Sequence, residues 1–379
     1  MEYDFSTERR LPFCFVGGLQ WGIVGLALVH LDRRSFMKIA LLGFPQAGKK
    51  SLFRLLTGRE IPAGRKDDES IEGIASIGDP RVDKLAELAH PERTRYAENN
   101  FVLCPDASDQ DRRVWLDAAR RCDLLCVVVR AFTSADVYHP KGTVDAERDR
   151  NDLEMELLLA DMELLDKRLE RIGKEKRAGL TPQQILEEKA LQRCQAVAAT
   201  GATLRTLELD EAERKSIASL GLVTRMPILW VYNVDEASVA GVPPAPGGMV
   251  VSCQIEGEIM AMENVADRQA FLRDLGLMQS GLDRMNAAAY ATLGLMSFYT
   301  SGPDEVRAWT IRKGSTAPEA AGKIHSDIER GFIRVEVIKY DDLVAAGSEE
   351  AVKKLGRALI KGRDYVIEDG DICHFRFNV

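Results

Sequence analysis

The segment that most constrains the fold is a short turn between a strand and a helix. The apolar run Lys38–Leu42 ends at Gly43, and the residues from Gly43 to Lys49 match the spacing G-x-x-x-x-G-K. Ser51–Leu56 follows with the apolar spacing of a helix. Such a loop turns its backbone N–H groups around an anion, and its glycines permit the backbone angles required. The sequence therefore predicts a phosphate-binding loop on an α/β sheet.

The predicted phosphate-binding residues are consecutive in the chain. Lys49 is expected to reach the β- and γ-phosphates of a nucleotide, and the N-terminus of the helix adds positive potential. The alternative is a strand–helix turn inherited from a nucleotide-binding ancestor. The residues assigned to phosphate binding are Gly43, Phe44, Pro45, Gln46, Ala47, Gly48, Lys49, Lys50 and Ser51.

The position after Lys49 departs from the usual pattern. A Ser or Thr hydroxyl normally holds Mg²⁺ there, and this chain has Lys50. Ser51 comes one position later, a rotation of about 100° along a helix, so we expect it to point elsewhere. A protonated ammonium cannot ligate a metal. We predict no metal ligand in this loop and expect the charge of Lys50 to lie near the usual Mg²⁺ position.

Further short apolar runs alternate with helical stretches, which is typical of a parallel sheet wrapped by helices. These runs are Phe101–Leu103, Leu124–Phe132, Pro227–Tyr232 and Met249–Val251. Between the second and third of them, apolar residues recur at spacings of three and four, as in a heptad seam. They are Met155, Leu158, Met162, Leu165, Leu169 and Ile172. Gly179 and Pro182 break this pattern before a second helical stretch. We predict an inserted antiparallel helical hairpin, with a single amphipathic helix on the sheet as the alternative.

The pattern of apolar and polar residues changes again from about Met296. Glu305–Arg312 and Ile333–Tyr340 alternate apolar and polar residues as half-buried strands do, and Thr316–Arg330 has the signals of one capped helix. Asp369-Gly370 predicts a β-turn between two short strands. We predict a small α+β domain over 296–379. The other predicted segments are an N-terminal extension at 1–36, a nucleotide-binding domain at 37–150 and 223–295, and the hairpin at 151–222.

The N-terminal extension contains a mostly apolar stretch, residues 11–31, that is long enough to span a bilayer. One interpretation is that translation starts at Met37, where the first strand begins. The others are a membrane anchor and a packed N-terminal element. A membrane is a predicted partner only if residues 11–31 form a real anchor.

Charge and cysteine content restrict the partners and the compartment. The net charge of −8 provides no global polycation, which argues against a DNA partner and leaves RNA to a local patch. The seven cysteines are scattered rather than grouped at metal-ligand spacing, which is typical of a reducing compartment. We predict a cytoplasmic monomer without structural zinc.

A further set of motifs consists of Gly78–Leu88, Glu305–Ile311, Ala317-Pro318, Ile324-His325, Glu329–Ile338, Asp364-Tyr365 and Asp369–Val379. With the phosphate loop, these motifs resemble the YchF / Obg-like ATPase family, a group of TRAFAC P-loop NTPases, and the likeness runs from Met37 to Val379. The resemblance implies a Ras-like nucleotide-binding domain with an inserted α-helical hairpin, followed by a TGS-like (β-grasp) domain. It also implies ATP or GTP as cofactor, with ATP favoured, and the ribosome or RNA as a partner.

The resemblance also indicates base-recognition residues. Asn233-Val-Asp-Glu236 is similar to the family's N-x-x-E, where GTPases have N-K-x-D with a carboxylate that pairs with guanine. Glu236 is expected to relax the guanine requirement, while Asn233 serves an adenine edge. The loop formed by Ser252, Cys253 and Gln254 is expected to lie near the base.

Departures from the family pattern fall on the residues linked to Mg²⁺. Where the family has D-x-x-G, this chain has Leu103 in place of the carboxylate and Asp106 in place of the glycine. The switch I threonine has no clear equivalent, and the acidic run 66–70 occupies that region. These changes weigh against Mg²⁺ binding and predict weak or absent hydrolysis. The alternatives are an active ATPase that recruits Mg²⁺ through Asp67, Asp68 or Asp106, and a non-binding interaction scaffold.

One histidine is a candidate catalytic residue. His139 matches a histidine in a loop of the family and is predicted to position a water molecule. The alternative is a solvated side chain in a surface loop.

Overall fold

The structure is a computed structural model that describes residues 37–62, 64, 66, 68–107, 113–244 and 247–378. The apolar stretch 11–31, Asp67 and residues 109–112 lie outside these ranges. Within them, no helix combines the length and the apolar character needed to cross a membrane.

Twelve strands are present in the described residues. They are β1 Lys38–Leu42, β2 Ile71–Ser76, β3 Arg93–Arg95, β4 Glu98–Leu103, β5 Leu124–Ala131, β6 Ile228–Val234, β7 Gly248–Val251, β8 Leu295–Thr300, β9 Glu305–Arg312, β10 Phe332–Lys339, β11 Leu359–Lys361 and β12 Asp371–Phe377. The α-helices of the same residues are α1 Lys49–Thr57, α2 Pro80–Ala89, α3 Ala146–Glu175, α4 Pro182–Ala198, α5 Glu211–Ile217, α6 Cys253–Ala261, α7 Val265–Asp274, α8 Gly281–Thr292, α9 Ala317–Ile324, α10 Ser326–Arg330, α11 Tyr340–Ala346 and α12 Glu349–Lys354.

The first sheet has the strand order β2-β4-β1-β5-β6-β7. All neighbours are parallel except β2, which pairs antiparallel with β4 at the edge. Every apolar run predicted as a buried strand is found in this sheet, so the predicted α/β class is confirmed. The carboxyl ends of its parallel strands meet at one edge, where ligands bind in open α/β sheets.

Alternate residues of the strands supply two cores, one on each face of this sheet. Ala40 and Leu42 face the cluster that includes Trp230, whereas Ile39 and Leu41 face the cluster that includes Phe53 on α1. Burial on both faces explains why the strands read as continuous apolar runs. A fully buried side chain such as Phe53 contributes roughly 1.5–3 kcal/mol to stability.

The inserted region is a helical hairpin, as predicted. The first half of α3 packs on the sheet through Leu153 and Leu157, and the second half packs on α4 through Leu165 and Ile172. The helix begins at Ala146 because Asp145 accepts the N–H of the residue three positions on. The assignment of Met155 to the heptad seam was wrong, because its side chain is exposed. The alternative of a helix lying on the sheet therefore describes the first half of α3.

The second sheet has the order β11-β10-β12-β8-β9-β3. The predicted strands over Glu305–Arg312 and near Ile333–Tyr340 are β9 and β10. The single helix predicted for Thr316–Arg330 was wrong, because the extended backbone of His325 divides it into α9 and α10. The turn at Asp369-Gly370 leads into β12, but the segment before it forms only an isolated bridge at Val366, not a strand.

Part of the chain before β4 also belongs to the second sheet. The short strand β3 pairs in parallel with β9, and the helix α2 buries Val82 and Leu85 against the same sheet. The sequence pattern around α2 did not indicate that this helix packs on the second sheet. The two sheets are therefore connected through the segment between β2 and β4 as well as through the chain that follows β7.

A hydrogen-bonded clasp fixes this connection. Asp79 caps α2 by accepting the N–H of Arg81 at 3.0 Å, and it also accepts the hydroxyl of Tyr299 at 2.5 Å. The Arg81 guanidinium donates to Asp79 and, at 2.7 Å, to Asp369, which accepts the N–H of Ser297. Burial raises the pKa of Asp79, but the hydrogen bonds from Arg81 and Tyr299 outweigh it and hold the pKa below its usual range.

We predict that Asp79→Ala lowers the free energy of unfolding by about 2 to 3 kcal/mol, because it removes a helix cap and leaves the Tyr299 hydroxyl unpaired. Urea unfolding followed by circular dichroism measures this change. Glu87→Ala, which removes an exposed carboxylate from the same helix, is the matched control and should leave the unfolding midpoint unchanged. Equal midpoints for Asp79→Ala and the native chain would contradict the role of the clasp.

Candidate nucleotide-binding site

The loop after β1 requires glycine at both ends. Gly43 has φ +146°, and a Cβ there would lie 2.3 Å from the carbonyl oxygen of Val128. Gly48 has φ +100°, and a Cβ there would lie 2.2 Å from the Asn233 amide nitrogen. Gln46 between them also has a positive φ, +61°. Left-handed residues within such a turn direct N–H groups to one side, which makes a cradle for an anion at the start of α1.

Lys49 is buried within this loop. Its Nζ donates to the carbonyl oxygens of Gly43 and Phe44, each at 2.7 Å, and lies 2.6 Å from Oδ1 of Asp106. Burial lowers the pKa of Lys49, and the Asp106 carboxylate opposes that shift. The side chain that is predicted to bind phosphates is thus held at the loop by three oxygen acceptors.

Asn233 joins the loop to the neighbouring strand ends. Its Nδ2 donates to the carbonyl of Ala47 at 3.1 Å, and its Oδ1 accepts the N–H of Cys253 at 3.0 Å. Asn233 itself is buried at the end of β6. These contacts bring the predicted phosphate loop and the predicted base-proximal loop together at one sheet edge.

A cavity of about 460 Å³ opens at this edge. Predicted site residues on its wall are Gln46, Gly48, Lys49, Lys50, Ser51, Asn233, Cys253 and Gln254. Gly43, Phe44 and Ala47 contribute carbonyl acceptors behind the wall. Pro45, Glu236, Ser252 and His139 do not line it. Ser51 lies on the cavity wall in the first turn of α1, and the direction of its hydroxyl relative to the usual Mg²⁺ position stays a prediction.

Asp235, and not Glu236, lies on the cavity wall. Its carboxylate accepts the N–H and the hydroxyl of Thr133, both near 3.1 Å. Glu236 begins a short 3₁₀ turn and is exposed. The signal for Asp235 is strand periodicity: residues 233 and 235 fall on the same side of an extended chain. Ser252 is buried, and its hydroxyl has no hydrogen-bond partner among the described residues.

The sequence-based site also omitted one wall of the cavity. This wall is the segment after β5, and it contributes Phe132, Thr133, Ser134 and Val137. Arg130 holds the segment by donating to the carbonyls of Val137 and Tyr138 at 3.0 Å. The signal that could have found it is topological, because β5 neighbours β1 and both end at the same sheet edge.

His139 lies in the segment between β5 and α3. Its Nδ1 accepts the N–H of Lys141 at 3.2 Å, so its Nε2 carries the proton and donates to Asp149 at 2.9 Å. The alternative of a solvated histidine was wrong, because the side chain is buried against the first turn of α3. The ammonium of Lys141 lies 5.5 Å from the centre of the Phe44 ring. The catalytic role of His139 stays a prediction.

The structure shows where the residues predicted at the switch positions lie. Leu103 ends β4 and is buried in the core, so it replaces the expected carboxylate with an apolar contact. Asp106 pairs with Lys49, and Asp68 is exposed. Among the described residues, no three His, Cys, Asp or Glu side chains are grouped so as to hold a metal ion.

Comparisons with known proteins cover the whole of this architecture. A family model named YchF-GTPase_C, described as "Protein of unknown function (DUF933)", matches residues 295–378. The ribosome-binding ATPase YchF of Bacillus subtilis is 36% identical over 370 residues, covering 89% of this chain and 98% of the relative. The Obg-like ATPase 1 of Oryza sativa is 31% identical, and the match covers 91% of this chain and 93% of the relative. The structure of the Schizosaccharomyces pombe YchF GTPase matches with a TM-score of 0.74 at 28% identity, and the match covers 90% of this chain and 98% of that structure.

These matches confirm the resemblance seen in the motifs. The relatives align over nearly their full length, so the likeness includes the phosphate loop, the helical hairpin and the second sheet together. Lys50, Leu103 and Asp106 therefore lie within a framework that the relatives share. We conclude that this chain belongs to the YchF family.

Proposed function

We propose that this chain binds a purine nucleotide, favours ATP over GTP, hydrolyses it slowly or not at all, and acts as a ribosome-associated regulator. The protein would be a cytoplasmic monomer whose nucleotide occupancy sets its affinity for the ribosome. The names of two bacterial relatives support this partner, since both are ribosome-binding ATPases. The cysteines of the described residues are free thiols, which supports a reducing compartment.

The observation that carries nucleotide binding is the loop geometry. Gln46 and Gly48 adopt positive φ at the start of α1, Lys49 is buried beside them, and the cavity opens directly in front. Backbone N–H groups, a helix N-terminus and an ammonium are the groups that bind phosphates in proteins. A nucleotide therefore fits the residues present, with the phosphates at the loop and the base toward Asn233.

The residues fit Mg²⁺ less well. Lys50 takes the place of the hydroxyl ligand, and Leu103 takes the place of the supporting carboxylate. When bound, Mg²⁺ neutralises the charge that develops during phosphoryl transfer. We infer that the positive charge of Lys50 substitutes for part of this charge neutralisation in binding, and that turnover is slow for lack of metal ligands.

The preference for ATP has support in the base-side residues. A carboxylate directed at the base is what selects guanine in N-K-x-D proteins, but Glu236 is exposed and Asp235 is engaged by Thr133. Asn233 uses two of the four hydrogen-bonding positions of its amide within the described residues. The remaining positions suit an adenine edge.

We predict that ATP binds the full-length protein with similar affinity in EDTA and in Mg²⁺, and that GTP binds more weakly. The physical reason is that the positive charge of Lys50 compensates phosphate charge without a metal. Isothermal titration calorimetry with each nucleotide measures both comparisons. Binding only in the presence of Mg²⁺ would favour a rebuilt metal site, and the absence of nucleotide binding would favour an interaction scaffold.

We predict that Lys50→Ser makes ATP affinity depend on Mg²⁺, because it removes the substituting charge and restores a hydroxyl ligand. Titration of ATP with and without Mg²⁺ measures the change, and phosphate release reports any gain in hydrolysis. Lys50→Arg keeps the positive charge and is the matched control. If the Lys50→Ser variant binds ATP with the same affinity with and without Mg²⁺, Lys50 does not replace the metal.

A local basic surface on the second sheet offers a ribosome contact. Arg334 and Arg376 are exposed cross-strand neighbours on β10 and β12. We predict that Arg334→Glu with Arg376→Glu weakens co-sedimentation with ribosomes at least about tenfold at moderate salt, since cationic side chains provide most of the affinity for phosphate backbones. Lys84→Glu with Arg273→Glu makes the same charge change elsewhere and is the control. Equal loss in both variants would contradict a contact at this surface.

A further inference from the structure

An acidic side chain lies at the phosphate end of the cavity. Oδ1 of Asp106 is 2.6 Å from Nζ of Lys49, and Asp106 lines the same cavity as Gln46 and Gly48. The Asp106 side chain is 38% exposed, whereas that of Lys49 is only 2% exposed. The cation expected to bind the outer phosphates of a nucleotide is therefore already paired with an anion from the same chain.

The backbone holds this carboxylate in position from both sides. The N–H of Cys104 donates to the carbonyl of Leu41 at 3.2 Å, and the N–H of Ala107 donates to the carbonyl of Gly43 at 3.0 Å. The first bond continues the pairing of β4 with β1, and the second fastens the segment to the phosphate loop itself. Asp106 therefore lies in a short backbone segment that is hydrogen-bonded on both sides of it.

The contacts of Lys49 leave little capacity for another acceptor. An ammonium has three donors, and Lys49 contacts the carbonyls of Gly43 and Phe44 as well as Asp106. An additional phosphate that approaches Nζ must displace the Asp106 carboxylate or lie next to it. Either arrangement costs free energy, because like charges repel strongly at a partly buried site.

We propose that Asp106 is a specificity residue that makes this site favour a nucleoside diphosphate over the corresponding triphosphate. This inference rests on the proposed nucleotide binding. A diphosphate ends at the β-phosphate within the loop, whereas a triphosphate carries a further anionic group beyond it and competes with the carboxylate for Lys49. Asp106 acts as a built-in anion at that position, and the phosphate count of the ligand determines whether its ion pair survives.

The test compares ADP and ATP binding to the full-length protein by isothermal titration calorimetry in EDTA. The native chain should bind ADP more tightly than ATP. Asp106→Asn removes the charge while keeping the shape, and Asp106→Gly removes the side chain. Each variant should raise the affinity for ATP relative to ADP by about tenfold or more, because the like charge beside the outer phosphate is gone.

Asp235→Asn is the matched control, because it removes a carboxylate from the same cavity that contacts Thr133 and not Lys49. It should leave the ratio of ATP to ADP affinity unchanged, and circular dichroism checks that each variant is folded. An unchanged ratio in both Asp106 variants, or an equal change in Asp235→Asn, overturns this inference while nucleotide binding stands. Failure of the native chain and all variants to bind either nucleotide overturns the proposed function and this inference together.

Discussion

The buried ammonium of Lys49 imposes a requirement that much of the surrounding backbone meets. A charged group removed from water costs several kcal/mol unless oxygen acceptors replace its hydration. Here the acceptors come from the phosphate loop and from the segment after β4, so both must pass close to the same point. Gly43 makes this possible because its lack of a side chain lets the loop pack directly on the Val128 carbonyl. Asn233 then fastens the loop to α6, which brings the end of β6 into the same arrangement.

The residues predicted at the switch positions fit this framework. Leu103 packs into the sheet core, where an ionised carboxylate would need a partner to offset its desolvation. Asp106 places a negative charge three residues later in the chain, where Lys49 is that partner. Fold and family are therefore compatible with either an active or an inactive site, and the function has to be argued from these side chains.

Features encoded by local spacing were the ones that the sequence predicted well. The bounds of β1 and the existence of the phosphate loop follow from residues adjacent in the chain, and the hairpin follows from a heptad pattern broken by Gly179. Features that depend on distant partners were missed or misplaced. The cavity wall after β5 and the position of Asp235 arise from the way parallel strands end together. The break at His325 also escaped prediction, because the capping and helix-forming signals on either side of it read as one continuous helix.

The attachment of α2 and β3 to the second sheet has a consequence for biosynthesis. Val82 and Leu85 leave the ribosome long before β8 to β12 are synthesised, so their apolar side chains lack their native cover while the first sheet assembles. Contacts across such long sequence separations form slowly, and exposed apolar surface in the meantime favours aggregation. A shortened chain that ends after β7 would therefore complete the strands of the first sheet and still expose the apolar face of α2. The second sheet serves as an intramolecular cover for a segment made early in translation.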